Sequence, residues 1–132
     1  MSVQKYVDDP TIEDDAELWR RLNPEWVIWD ENMGCHRPST AAFDNSRDGS
    51  PTSFYLAEIV RQTDRDEDAV LAPFPGYSLA SVSAGEARDC HQGVTRDPLP
   101  EEPAHALMFG PKTKSTKRCL AQKATLIRNA SV

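Results

Sequence analysis

The chain has 132 residues, a hydrophobic content of 39% and a net charge of −6, so it is long enough for one domain with one core. It has no signal-type apolar start and no run of about 18 apolar residues, which excludes membrane-spanning classes and favours a cytoplasmic location. Cys35, Cys90 and Cys119 are odd in number and far apart, so we expect reduced thiols and at most one disulfide.

Charge is distributed unevenly along the chain. Residues 1–31 hold nine acids against three basic residues, whereas no acid follows Glu102 and six basic residues do. Such a basic end attracts phosphates or an acidic partner, or it packs on the acidic beginning of the same chain, and both interpretations stay open. Nucleic-acid binding is disfavoured, because the net charge is acidic and no aromatic residues alternate with these lysines.

In chain order, the first predicted element is a helix over residues 12–22, with Thr11 as its N-cap and acids in its first turn. Asn23-Pro24 ends this helix, because a residue before proline avoids the α region. Residues 26–30, WVIWD, predict a strand. Residues 31–51 predict a long loop anchored by Phe43, and a loop of that length in a compact domain is often functional.

The second half predicts alternating short elements. We expect a strand over 53–60 that turns helical near its end, a helix over 65–72, a strand over 77–82 and a helix over 83–90. Residues 91–103 predict a rigid loop, 104–109 a strand, 113–123 a helix and 124–128 a last strand. The whole pattern predicts one α+β domain over residues 1–132. It consists of a mixed or antiparallel sheet with three or four short helices and long loops, and its residues 1–10 form a flexible N-terminus.

His105 lies within the apolar run of residues 104–109. A strand over 104–109 places it among partly buried side chains, where it is either a structural histidine or a functional one. Gly110 and the start of a basic helix follow, an arrangement that binds phosphate through free backbone N–H groups, with Lys112 and Lys114 adding charge and Thr113 available as a cap. A Walker A motif is absent, so nucleoside triphosphate hydrolysis is not indicated.

A second group of candidates comprises Arg20 or its neighbour Arg21, together with Arg37, Ser39, Ser53 and Tyr55. Arginine fits anionic oxygens with a two-pronged fork, and a loop rich in Ser and Thr supplies small donors beside it. The alternative for each residue taken singly is an ordinary surface ion pair or an ordinary strand position.

Two dipeptides, Cys35-His36 and Cys90-His91, raise the question of a zinc centre assembled in space. No CxxC or HxxxH spacing occurs, and structural zinc sites usually draw their ligands in such tight pairs. The sequence therefore predicts no metal site and no cofactor.

The segments RPSTAAFDNSRDGSPTSFYLAE, residues 37–58, and DPLPEEPAHALMFGPKTKS, residues 97–115, resemble a group of small, functionally unassigned bacterial proteins with related RPS…AF and PAHA…G.K.K segments. This resemblance covers about a third of the chain, implies no activity and directs attention to Arg37, Ser39, Ser53 and His105. The order of LWRR, a Ser/Tyr strand and a later His is also loosely similar to ADP-ribosyltransferase-like folds. Their late catalytic glutamate has no counterpart in the acid-free C-terminal end.

The first functional hypothesis is a small cytoplasmic binding or accessory protein of bacterial type. It would hold a phosphate-bearing small molecule or an acidic protein partner through the Arg37 loop and the stretch from His105 to Lys114.

The alternative is an enzyme acting on a nucleotide or NAD-like substrate. His105 would be its acid/base, Ser53 or Tyr55 would position the substrate, and Arg20, Arg37 and Lys112 would bind the anion. Geometry separates the two hypotheses, because an enzyme needs its reactive groups to converge on one cleft.

Overall fold

The computed structural model describes residues 6–130. Its strands are β1 (Glu17–Leu22), β2 (Val27–Asp30), β3 (Cys35–Pro38), β4 (Thr52–Leu56), β5 (Ser78–Ser83), β6 (Gly93–Arg96), β7 (His105–Phe109) and β8 (Thr125–Arg128). Its α-helices are α1 (Ala57–Gln62), α2 (Glu67–Leu71), α3 (Ala84–Asp89) and α4 (Lys114–Lys123). Short 3-10 helices occupy Pro24–Trp26 and Thr40–Phe43.

Six strands form one antiparallel sheet in the order β6-β7-β4-β1-β5-β8, and β2 and β3 form a separate hairpin. The predicted α+β class, with an antiparallel sheet and four short helices, is therefore confirmed. Within the described residues, no helix combines the length and the hydropathy needed to cross a membrane.

The predicted helix over 12–22 is wrong, because residues 17–22 form strand β1. Both the helical and the strand period fit the sequence here. Leu18 and Leu22 are four residues apart, a spacing that places them on one side of a helix and also on one face of a strand. All six residues of β1 pair with β5, and β1 also pairs with β4 on its other side. These long-range ladders outweigh the local helical pattern, which is why sequence alone misleads here.

Strand alternation gives the sheet two buried faces. Leu18, Phe54 and Met108 lie on one face, in the larger core that α3, α4 and the 3-10 helix Thr40–Phe43 cover. Trp19 and Tyr55 lie on the opposite face, in a smaller core beneath α1 and α2. Because α1 and α2 are only six and five residues long, they leave the β4–β7 end of this second face partly uncovered.

Most other predicted elements are confirmed, including the change from strand to helix in residues 53–60, which is the boundary between β4 and α1. Phe43 is fully buried and anchors the long loop as expected, although that loop also contains β3. The prediction of a loop over 91–103 is wrong for Gly93–Arg96, which form strand β6; a run of only four residues before Asp97-Pro98 is too short to reveal a strand in the sequence. Its Val94 is buried against the larger core.

The expectation of reduced thiols is wrong for two of the three cysteines. Cys90 and Cys119 form a disulfide that joins the end of α3 to α4, with the two Cα atoms 5.8 Å apart. Their sequence separation of 29 hides this proximity in the sequence, because it arises only from the packing of the two helices on the sheet. Cys35 is a free, exposed thiol.

Among the described residues, no ion pair joins the acidic beginning of the chain to its basic end. The acidic beginning is held by arginines from the middle of the chain: Arg88 contacts Asp8 and Asp14, and Arg96 contacts Asp9. In the predicted flexible segment 1–10, residues 1–5 lie outside the described residues. The backbone of Asp9 donates to Val94 and so docks the segment after residue 5 on β6.

Candidate functional site

Strands β4 and β7 bring three candidate residues together on the partly uncovered face of the sheet. Tyr55 lies directly opposite His105 in the ladder, and Ser53 lies opposite Leu107, so Ser53 and His105 are diagonal neighbours on the same face. The Ser53 Oγ lies 3.1 Å from the His105 Nε2. The sequence predicted these three residues as catalytic, and the structure places them side by side.

Asp97 completes this arrangement from the end of the next strand, β6. The backbone N–H of Asp97 donates to the His105 carbonyl at 2.9 Å, which fixes Asp97 beside the imidazole. Pro98 follows and favours an extended conformation at residue 97. The carboxylate Oδ2 and the backbone carbonyl of Asp97 lie 3.1 and 3.0 Å from the His105 Nδ1.

These contacts determine the tautomer of the neutral imidazole. Both partners of Nδ1 are oxygens that only accept hydrogen bonds, so the ring proton resides on Nδ1. Nε2 is then unprotonated and accepts the hydrogen bond of the Ser53 hydroxyl. This is the state in which a histidine can take a proton from serine.

Two cavities flank the Ser53–His105 pair, and we call them together the Ser53 cleft. The first, of about 390 Å³, has hydroxyl and carboxylate groups from Ser46, Asp48 and Ser50 in its lining. The second, of about 470 Å³, is lined by residues that include Arg21 and Tyr55. Both include Ser53 and His105 in their lining, so the pair is reachable from two sides although only 13% of the His105 side chain is exposed.

Arg21 provides the cation of the second cavity. Its guanidinium lies 4.0 Å from the ring centre of Phe74 and 4.6 Å from that of Tyr55, and it donates to the Tyr55 hydroxyl and the Val70 carbonyl. Burial lowers the pKa of Arg21, which nevertheless remains charged. Because the Tyr55 oxygen accepts from Arg21, its own proton remains available for donation into the cleft.

A bidentate salt bridge holds the segment that lines one side of the second cavity. Arg65, just after α1, donates from both terminal nitrogens to the two carboxylate oxygens of Glu102 at 2.7 and 2.6 Å. The Arg65 hydrogen bonds lower the pKa of Glu102. The segment between Asp97 and Ala104 is thereby tied to the helical layer.

The predicted anion-binding residues are not gathered in this cleft as ligands. Arg20 is among the residues that line the second cavity, but its guanidinium donates to the Ala42 and Ser53 carbonyls, and burial lowers its pKa to about 10. Lys112 is directed inward, donates to Gln92 Oε1 at 2.6 Å, and has a pKa lowered by burial to about 8. Both cations are therefore occupied by internal oxygens.

At the start of α4, a backbone N–H group is satisfied by the helix's own N-cap. The Thr113 hydroxyl accepts from the backbone N–H of Thr116, as the predicted cap, and Lys114 is exposed. Arg37 does not reach the cleft: it lies on the β2–β3 hairpin, binds Asp30 at 2.7 Å and lines a different cavity. Ser39 also lies outside the cleft, and its hydroxyl is buried without a hydrogen-bond partner in the described part of the chain.

Asp97 is the residue that sequence reasoning missed. It was included in a rigid loop, yet one signal was present: Asp97-Pro98 marks the end of a short run, GVTR, directly before the strand that carries His105. Two adjacent antiparallel strands would place such an acid beside the histidine. Arg21 was weighed only as a neighbour of Arg20.

Within residues 6–130, no three His, Cys, Asp or Glu side chains are grouped so that they could hold a metal ion. Comparison of the chain with protein-family models, with curated proteins and with solved structures finds no match in any of the three.

Proposed function

We propose that this protein is an enzyme that transfers acyl groups to water, with Ser53 as nucleophile, His105 as general base and acid, and Asp97 as the positioning residue. The observation that carries the proposal is the continuous chain of contacts from Ser53 Oγ through both imidazole nitrogens to the Asp97 carboxylate, each 3.1 Å long. Such a chain is recognised by its geometry and is found on unrelated folds.

The chemical steps follow from the tautomer. Ser53 Oγ attacks the carbonyl carbon of an ester while His105 Nε2 takes the hydroxyl proton. Nε2 then gives this proton to the departing alkoxide, the ester C–O bond breaks, and an acyl-serine remains. Water attacks the carbonyl carbon of the acyl-serine and gives a proton to Nε2. The bond between this carbon and Ser53 Oγ then breaks, the carboxylic acid leaves, and Nε2 returns the proton to Ser53 Oγ, which regenerates the starting state.

Asp97 acts through the imidazole rather than on the substrate. While Nε2 holds the proton, the ring is positively charged, and the carboxylate beside Nδ1 stabilises that charge. The Asp97 carbonyl holds Nδ1 as well, so two oxygens of one residue orient the ring.

The oxyanion that forms during attack needs hydrogen-bond donors. Tyr55 and Arg21 line the same cavity as Ser53 and His105, and the Tyr55 hydroxyl is polarised by the guanidinium that donates to it. We assign these two groups to the oxyanion. The two segments that resemble small bacterial proteins meet here, since one supplies Ser53 and Tyr55 and the other supplies Asp97 and His105.

The test is hydrolysis of p-nitrophenyl esters with acyl chains of increasing length by the parent and by His105→Gln. Glutamine retains hydrogen-bonding groups but cannot serve as the base, so we expect the parent to turn over at least one ester and the variant to lose about 10³-fold or more in kcat. Equal rates in the two proteins would contradict the proposal.

A second candidate, non-catalytic binding of a phosphate-bearing small molecule, is favoured by one observation. The Arg21 guanidinium, held against the rings of Tyr55 and Phe74, lies in the lining of the same cleft and can bind an anionic oxygen. Calorimetric titration with adenosine monophosphate and with NAD separates the two functions. Binding that Arg21→Met weakens about tenfold and Ser53→Ala leaves unchanged, in a parent without esterase activity, would select this candidate.

We further propose that the protein works in the cytoplasm of a bacterium. The Cys90–Cys119 disulfide argues against this location, because disulfides are rare in that compartment, and it therefore makes the location directly testable. Fractionation of cells expressing the natural protein is expected to recover it with cytoplasmic markers, and alkylation before lysis would show how much of the bond is present there. Recovery outside the cytoplasm would contradict the location.

A further inference from the structure

A second concave surface lies at the opposite edge of the main sheet, between the β2–β3 hairpin and the α4–β8 end of the chain. We call it the hairpin groove; it has a volume of about 840 Å³ and includes Arg37 and Arg118 in its lining. Strand β8 is the last strand of the sheet, four strands away from β7, so the groove is separate from the Ser53 cleft.

Two strand edges border this groove without pairing with each other. β3 is in contact with β8, yet the hairpin and the main sheet remain separate, and no backbone hydrogen bond joins them in residues 6–130. Each strand is bonded on its other side, to β2 and β5 respectively. The two edges lie against each other, and the Asn129 Nδ2 is 3.0 Å from the His36 Nδ1, so no further strand fits between them.

The surface between the two edges is apolar. Ala121, Ala124 and Leu126 contribute small and aliphatic side chains from α4 and β8. Met33, at the tip of the hairpin, also lines the groove and is 72% exposed. An extended segment therefore finds apolar contacts for its own apolar side chains.

The charge beside this apolar surface is positive. Helix α4 carries four cationic residues and no acid, and two of them, Lys117 and Lys123, are near Asp44 and Asp89. Arg118 lines the groove and makes no ion pair or hydrogen bond with any described residue. It is thus available for a carboxylate of a partner.

We propose that the hairpin groove binds an extended acidic segment of a partner protein, in which apolar and acidic residues alternate. The segment's apolar side chains pack on Ala124 and Leu126, and its carboxylates contact Arg118. This inference is independent of the acyl-transfer proposal, since it uses none of the cleft residues.

The probe is a synthetic peptide of nine residues in which valine and isoleucine alternate with aspartate and glutamate, compared with the same peptide carrying lysine in place of every acid. Binding is measured by amide chemical-shift changes in the isotope-labelled parent. We expect the acidic peptide to shift amides of residues 35–38 and 124–128, and the lysine peptide to bind at least tenfold more weakly.

Two charge reversals on the same helix provide the matched comparison. Arg118→Glu is expected to weaken binding of the acidic peptide about tenfold, whereas Lys114→Glu, outside the groove, changes it less than about twofold. Equal effects of the two variants, equal binding of the two peptides, no binding, or shifts confined to other residues would each overturn the proposal. Concentration-dependent dimerisation through residues 35–38 and 124–128 would assign the groove to a second copy and overturn it as well.

Discussion

The Ser53 cleft and the hairpin groove differ in how their polar groups are held. In the cleft, Ser53, His105 and Asp97 are bound to one another, and each ring nitrogen has a defined partner. In the groove, Arg118 makes no ion pair or hydrogen bond with any residue from 6 to 130. Groups fixed before a ligand arrives suit chemistry, which depends on geometry within fractions of an ångström, whereas free groups suit docking, which satisfies them.

The largest expected effect is the loss of ester hydrolysis when the nucleophile of the Ser53 cleft is removed. Ser53→Ala should reduce ester hydrolysis about 10³- to 10⁶-fold, because no other group can form the acyl intermediate. Steady-state rates at saturating ester are the measurement. Ser81→Ala is the matched control: Ser81 also lies on the β-sheet but its hydroxyl donates to Glu17 at 2.9 Å, so its removal should leave kcat within about twofold.

Asp97→Asn should have a smaller effect, about 10- to 100-fold on kcat with little change in KM. The charge that stabilises the imidazolium is lost, but the backbone carbonyl of residue 97 still accepts from Nδ1 and keeps the required tautomer. A loss as large as that of Ser53→Ala would show that the carbonyl does not hold the ring. Neither variant should alter binding of the acidic peptide to the hairpin groove.

Arg65→Met should loosen the wall of the cleft and leave the groove intact. Removing both charge-assisted hydrogen bonds to Glu102 should lower the free energy of unfolding by about 1–3 kcal/mol, measured by chemical denaturation at neutral pH. The rate of ester hydrolysis should fall together with the free energy of unfolding. A variant with parental stability and activity would contradict the structural role of this pair.

The same pair gives an acid-side pH dependence. Because Arg65 lowers the folded-state pKa of Glu102, its stabilisation is present above the ordinary value of 4.5 and is lost as the pH falls through the lowered folded value. The difference in unfolding free energy between the parent and Arg65→Met should therefore narrow below pH 4.5. A constant difference between pH 6 and pH 3 would contradict this cause.

The last prediction concerns Lys112, which the sequence predicts as an anion ligand and which lies inside the protein. Its folded pKa of about 8 is below the ordinary value of 10.5, so the folded chain loses this proton first and its stability rises with pH between these two values. Lys112→Met should remove that rise, whereas Lys114→Met, at an exposed position, should retain it. Denaturation at pH 7, 9 and 10.5 measures the difference.

Sequence predicts the cleft where the information is local. The alternation of residues 104–109 and 53–56 places His105 and Ser53 on strand positions that share a face once the two strands pair. The pairing itself joins residues about 50 positions apart, and no local pattern specifies it. For the same reason the separation of Arg37 from His105 is not visible in the sequence, since it depends on β3 lying beside β8 at the far edge of the sheet.

Residues 17–22 show the same limit in the fold. ELWRRL satisfies a helical spacing as well as a strand spacing, and only pairing with β5 and β4 decides between them. The Cys90–Cys119 bond likewise depends on how α3 and α4 pack. Local signals sufficed for the Thr113 cap of α4 and for the buried Phe43 anchor, because each is decided within a few residues or by one large apolar side chain.

The central claim is that Ser53 is a nucleophile activated by His105, and covalent labelling tests it most directly. A fluorophosphonate probe should add one phosphonyl group to the parent with loss of fluoride, seen by intact mass and located on Ser53 by peptide mapping, while His105→Gln remains unlabelled over the same time. A parent that stays unlabelled, or a label that lies on another residue and persists in Ser53→Ala, would contradict the account.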